Sequence, residues 1–149
     1  AADEAGEGGD EDRIGHRGPD AAGFANLSPN SALQLGHRRL SIIDLSTAAD
    51  QPFVKDGLHL SYNGELYNYR ELRNILRGKG VCFSTESDTE VVLECWRHWG
   101  HAGLSRLRGM FAFALYDERA GALTLVRDPL GIKPMYVMPR CLCCIPKSP

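Results

Sequence analysis

Residues 110–116, Met-Phe-Ala-Phe-Ala-Leu-Tyr, form an unbroken apolar run between Gly109 and Asp117. A membrane-spanning helix needs roughly 18 such residues, so the run is far too short to span. A strand with one wet face would alternate apolar and polar residues. Continuity calls instead for a strand covered on both faces. The turn signal at residues 117–121 (DERAG) then lets residues 123–126 pair back as a hairpin. A chain holding this run must supply layers on either side of a sheet.

The rest of the pattern supplies them. Leu33 and Leu35 alternate with polar neighbours and predict a short strand, which Leu40, Ser41, Ile42 and Ile43 continue as a buried segment. Leu58, Leu60 and Tyr62 alternate again and predict a strand that ends at an Asn63-Gly64 turn. Tyr69, Leu72, Ile75 and Leu76 fall on one helical face, closed by Gly78 and Gly80. Ser87 followed by Glu90 is a capping-box pattern ahead of Val92, Cys95, Trp96 and Trp99, a second helical stripe closed by Gly100. The order β, β, α, α, β, β predicts two sheets faced by helices.

The chain has 149 residues, 43% hydrophobic and 24% charged, enough for one domain with a sizeable core. Residues 1–13 hold no large apolar residue and carry six acids, predicting a disordered acidic segment. From residue 13 on, 17 bases face 13 acids, too mild and scattered an excess for nucleic-acid binding. Residues 139–149 are rich in Cys and Pro and match nothing before them, leaving residues 14–138 as the domain. No apolar run predicts a membrane span and no signal-peptide pattern opens the sequence. Five cysteines, an odd number without module-like spacing, predict a reducing, cytoplasmic setting. Cys82 and Cys95 read as single residues in a strand and a helix. Cys141, Cys143 and Cys144 have no second ligand pair nearby, and the five histidines lack metal spacing.

Six polar blocks occur in fixed order: HRGPD (16–20), HRRLSIIDLS (37–46), YNGELYN (62–68), SDTEV (87–91), GMFAFALYD (109–117) and RDPLGIKPMY (127–136). Together they resemble the class II glutamine amidotransferase domain of glutamine-hydrolysing asparagine synthetases. The likeness covers residues 14–137. It implies an α+β fold, the αββα four-layer sandwich of N-terminal-nucleophile hydrolases, here incomplete at its N-terminus.

The resemblance also implies roles. Amide hydrolysis is acyl transfer, needing a nucleophile, a base and donors for the developing oxyanion. Asn63 and Gly64 match the oxyanion hole, although an isolated Asn-Gly reads as an ordinary turn. Arg39 matches the arginine that grips the glutamine carboxylate, a task suited to a guanidinium fork. The carbonyls of Ile42 and Ile43 match the same pocket. Asp88 and Glu65 match the carboxylates that hold the α-amine, and Asp88 also suits a helix N-terminus. Arg17 matches a loop residue near the nucleophile. Arg127, Asp128 and residues 131–134 match a segment that joins the next domain, and read as structural support.

The family's nucleophile is a cysteine that follows the initiator Met, with its own α-amine as base. Only fifteen polar residues precede HRGPD here, and the sequence reads as a fragment lacking that cysteine. The full enzyme implied would have a synthetase domain using ATP and Mg²⁺ to amidate aspartate with the ammonia released, and could be a homodimer. A competing reading from another class is a non-catalytic module that binds glutamine or a partner subunit. The chain as written is expected to release no glutamate from glutamine; turnover by the purified chain in a coupled glutamate assay would overturn this.

Overall fold

The computed structural model describes residues 21–27, 33–39 and 50–137. The segments expected to be disordered (1–13) and aberrant (139–149), and the buried run 40–43, lie outside the described residues.

Two antiparallel sheets form among the described residues. Strand β1 (Ala21–Asn26) pairs with β2 (Gln34–Arg39), setting Ala21 opposite Arg39 and Asn26 opposite Gln34. The second sheet has the order β3-β4-β5-β6. Its strands are β3 (Phe53–Lys55), β4 (Leu58–Leu66), β5 (Gly109–Asp117) and β6 (Ala122–Arg127). Three helices separate β4 from β5: α1 (Tyr69–Arg77), α2 (Asp88–Trp99) and the single turn α3 (His101–Leu104).

The strand alternation of β4 decides where the core lies. Leu58, Leu60, Tyr62 and Leu66 are buried, with Leu60 at 0% exposure. Across the ladder Phe111, Phe113 and Leu115 of β5 face the same way. Leu72 and Leu76 of α1 and Val91, Val92 and Cys95 of α2 close over them. The other face of β4 meets β2, where His37 Nδ1 lies 3.0 Å from Ser61 Oγ. Helices, four-stranded sheet and two-stranded sheet therefore stack as three layers of an α+β sandwich among the described residues.

The apolar run is a central strand, as its continuity requires, and Ala112 on its second face is buried while Ala114 and Tyr116 are half-buried. Its hairpin to β6 has the expected register, Leu115 opposite Thr124. Helix α2 is closed at Gly100, whose φ of 56° suits glycine.

Several expectations are corrected. Strand β4 does not turn at Asn63-Gly64 but runs through to Leu66, with Gly64 opposite Phe111. Gly64 serves close approach: a Cβ there would meet Met110 O at 2.2 Å and Phe111 Cα at 2.6 Å. The tight turn lies earlier, at Asp56-Gly57, where both residues have positive φ (52° and 81°) between β3 and β4. Ser87 caps α2 by accepting from Thr89 N at 3.1 Å, but Glu90 does not return the bond. Ile75 is 38% exposed, and the buried neighbour on α1 is Arg73. Trp96 and Trp99 are half-buried, and Cys82 lies in an irregular segment rather than a strand.

After β6 the chain is gathered by one carboxylate. Asp128 accepts from the backbone N–H groups of Phe111, Leu130, Ile132 and Lys133, while Arg127 donates to the carbonyls of Lys133 and Gly131. Burial opposes the charge on Asp128, but these N–H donors outweigh it and hold the carboxyl below its usual range. This agrees with a structural role for the Arg127-Asp128 pair.

Leu60 is the test of the core. Leu60→Ala is expected to cost about 2–5 kcal/mol in chemical denaturation, whereas Ile75→Ala should cost less than about 1 kcal/mol.

Candidate active site

The free edge of β4 organises the candidate residues. In an antiparallel strand, alternate N–H groups point to the same edge. Strand β3 covers that edge only as far as Leu60, which pairs with Phe53. Beyond it, the N–H groups of Tyr62, Gly64 and Leu66 point away from β5. Tyr62 N–H donates to Gln51 Oε1 at 2.5 Å. Leu66 N–H donates to Asp88 Oδ2 at 2.9 Å. Gly64 N–H lies between these two capped donors, and no described residue accepts from it.

Asp88 comes to this edge because it is the first residue of α2, directly after the Ser87 cap. It is only 5% exposed, and its Oδ2 also accepts from Tyr62 Oη at 3.2 Å. Burial pushes the Asp88 carboxyl up, and the bonds from Leu66 N–H and Tyr62 hydroxyl partly offset that. The Tyr62 hydroxyl is itself pushed up, first by burial and then by the Asp88 charge beside it. It therefore stays protonated and donates.

The segment before Asp88 is held from both sides. Glu90, at 0% exposure, accepts from the backbone N–H groups and hydroxyls of Ser84 and Thr85. Arg73 of α1 donates to the carbonyls of Thr85 at 2.6 Å and Ser87 at 2.9 Å, with its guanidinium over Phe83. Lys55 of β3 completes the charge balance, 2.8 Å from Glu90 and 2.7 Å from Glu94. Burial raises the Glu90 carboxyl, but Lys55 and the N–H groups of Ser84 and Thr85 more than reverse this, bringing it to about 2. Burial likewise lowers the Lys55 ammonium, and its bonds to Glu90 and Glu94 outweigh that, leaving it raised.

The other expected residues fall as follows. Asn63 is exposed, opposite Ala112, and Glu65 is half-buried, opposite Met110. By alternation both stand on the face of β4 that carries Ser61, away from the helices. The backbone of Arg39 ends β2, two residues past His37. Its side chain lies outside the description, as do Ile42, Ile43 and Arg17. Asn63, Gly64, Glu65 and Asp88 thus gather at one end of β4. Gln51, Tyr62, Arg73 and Lys55 were not expected at the site. Tyr62 and Gln51 could be found only by knowing where the edge strand stops.

Comparisons with known proteins identify the family to which this fold belongs. Residues 9–141 match the family described as glutamine amidotransferase domain. Asparagine synthetase [glutamine-hydrolyzing] 1 of Bacillus subtilis is 44% identical over 124 residues, covering 83% of this chain and 19% of that protein. Amidase chry2 of Gibberella zeae is 46% identical over 127 residues, covering 84% and 19%. The solved glutamine phosphoribosylpyrophosphate amidotransferase of B. subtilis superposes with a TM-score of 0.57 at 30% identity, covering 68% of this chain and 24% of that one. The chain belongs to the glutamine amidotransferase domain family, with the α+β sandwich of N-terminal-nucleophile amidotransferases. It spans about a fifth of the length of the curated relatives it matches.

Glu90 sets a measurable acid limb. Its folded value, about 2, is below its ordinary 4.5. Its ionised form thus stabilises the fold fully above pH 4.5, by on the order of 3 kcal/mol, and this is lost as pH falls towards 2. The stability gap between the parent chain and Glu90→Gln is expected to be widest near neutral pH and to narrow through that window in denaturant titrations.

Proposed function

We propose that this chain is the glutaminase domain of an asparagine synthetase-type enzyme, binding L-glutamine at the free edge of β4. The observation that supports this most is the Gly64 N–H, which no described residue caps, between two capped neighbours. A backbone donor held rigidly at a strand edge, with the Asn63 side chain beside it, is suited to an oxyanion. Losing one such donor typically costs about 2.7–4 kcal/mol of transition-state stabilisation.

The dimensions suit the substrate. Gly64 and Leu66 N–H groups stand about 7 Å apart along the strand. Asp88 Oδ2 lies against Leu66 N–H. An extended glutamine places its α-nitrogen roughly 5–6 Å from its side-chain amide oxygen, by ordinary bond lengths. The ammonium at Asp88 and the amide oxygen at Gly64 N–H are therefore compatible with one molecule. Glu65 would add a second carboxylate for the ammonium, and Arg39, with the carbonyls of Ile42 and Ile43, would receive the amino-acid end.

In the reaction, a nucleophile attacks the amide carbon, the carbonyl oxygen takes up negative charge, and the C–N bond breaks to release ammonia. Water then cleaves the acyl intermediate to give glutamate. In the family the nucleophile is an N-terminal cysteine with its α-amine as base. Cys95 is unsuited to that part, because burial pushes its thiol up to about 12. Exposed Cys82 is likewise no substitute, since it sits mid-chain with no free α-amine beside it to act as base. The ammonia would serve ATP- and Mg²⁺-dependent amidation of aspartate in the remainder of the enzyme. Aspartate is proposed from the asparagine synthetase relatives. A cytoplasmic setting is proposed for the same biosynthetic role; no helix among the described residues is long and apolar enough to cross a membrane.

Binding tests the reading without needing the nucleophile. Titration calorimetry of this chain with L-glutamine should give saturable one-to-one binding. Asp88→Asn should weaken it ten- to a hundredfold, since a hydrogen bond to a charged group is worth about 1.5–3 kcal/mol. A folded chain that takes up no glutamine, or an Asp88→Asn variant that binds equally well, sinks the proposal.

A further inference from the structure

Tyr62 belongs to the core by its ring and to the β4 edge by its hydroxyl. It is buried, with its ring tilted against Phe113 at 6.4 Å between centroids. Its hydroxyl is 3.2 Å from the Asp88 carboxylate, and its backbone N–H is fixed by Gln51. Gln51 in turn reaches Thr89 Oγ1 of α2 at 3.5 Å. Tyr62 therefore touches the start of α2 twice, directly through its hydroxyl and indirectly through Gln51.

A buried tyrosine needs a partner for its hydroxyl, but many acceptors would satisfy it. Here the partner is the same oxygen that caps Leu66 N–H. Two donors converging on one carboxylate oxygen fix its position and direction. A carboxylate so fixed can receive a further cation without paying to reorganise. Without the hydroxyl, Asp88 at the start of α2 would keep the Leu66 N–H bond alone, and its direction would have to be set by each ligand that arrives.

We propose that Tyr62 is a positioning residue for substrate binding, its hydroxyl anchoring the Asp88 carboxylate so that it accepts the α-ammonium of the ligand. This rests on the glutamine-binding reading above and adds the residue that sets discrimination for the ammonium end. Tyr62 touches Asp88, not the reacting amide, and its effect is on affinity and selectivity.

The test compares two ligands on the full chain: L-glutamine, and 4-carbamoylbutanoate, which has the same amide and carboxylate but no α-amine. Tyr62→Phe keeps the ring and its packing against Phe113. The expected result is a Kd for L-glutamine raised on the order of tenfold, with the Kd for 4-carbamoylbutanoate unchanged. Unchanged glutamine affinity, or equal losses for both ligands, overturns the proposal and leaves Tyr62 a packing residue. Should Tyr62→Phe not fold, 3-fluorotyrosine at position 62 keeps the shape with a more acidic hydroxyl. It must shift the glutamine Kd and spare that of the analogue; no shift, or a shift of both, overturns the proposal. If the folded parent chain binds neither ligand, the glutamine-binding reading itself fails and takes this inference with it. Binding of glutamine by the parent with no change in the variant fails the inference alone.

Discussion

Three carboxylates enter the protein interior on the first two turns of α2, and most of the architecture follows from satisfying them. Asp88, Glu90 and Glu94 are all buried. A buried carboxylate without partners costs several kcal/mol, so each must be met by donors or a cation. Asp88 is met by the β4 edge, and Glu90 by the chain at 84–85 together with Lys55. Glu94 is met by Lys55 and by Arg97, which continues to Asp56 in the β3–β4 turn. The helix is thereby bolted to β3, to β4 and to its own lead-in segment. Apolar packing fixes that the helices cover the sheet. The carboxylates fix at what height along β4 they do so.

That height matters for chemistry. Sliding α2 by one turn would move Asp88 about 5.4 Å and leave Leu66 N–H uncapped. The space around Gly64 N–H would lose its boundary on that side. Gln51 defines the other boundary by occupying Tyr62 N–H. Among the described residues the candidate site is therefore a gap in edge capping, and its width is set by the strand repeat itself.

How much of this the sequence carried depends on range. The helical stripes of Leu72 and Leu76 and of Val92 and Cys95 were legible because periodicity is local. So was the central strand, because continuity and the following turn are adjacent in the chain. The polar blocks marked Asn63, Gly64, Glu65 and Asp88, and the structure gathers these at one strand end. The Asn-Gly pair misled because its turn propensity was weighed without its partner strand, whose backbone approaches too closely for any other residue at position 64. Local spacing reads Glu90 as a cap for Ser87, whereas its donors are Ser84 and Thr85 in the irregular lead-in and Lys55, 35 residues away, which no spacing rule reaches. Buried Arg73 was invisible for the same reason, since its acceptors are carbonyls in a distant irregular segment.

The clip around Asp128 has a mechanical consequence. A loop gathered by three of its N–H groups onto one carboxylate, which a fourth N–H ties to β5, and cross-braced by Arg127, is stiff where the chain leaves β6. Its anchor, Phe111 N–H, belongs to the central strand two positions from Phe113, the ring on which Tyr62 rests. A torque applied to residues 130–133 would be delivered to β5 rather than absorbed at a hinge. The exit of the sheet and the edge of β4 thus form one lever, with the central strand as its arm.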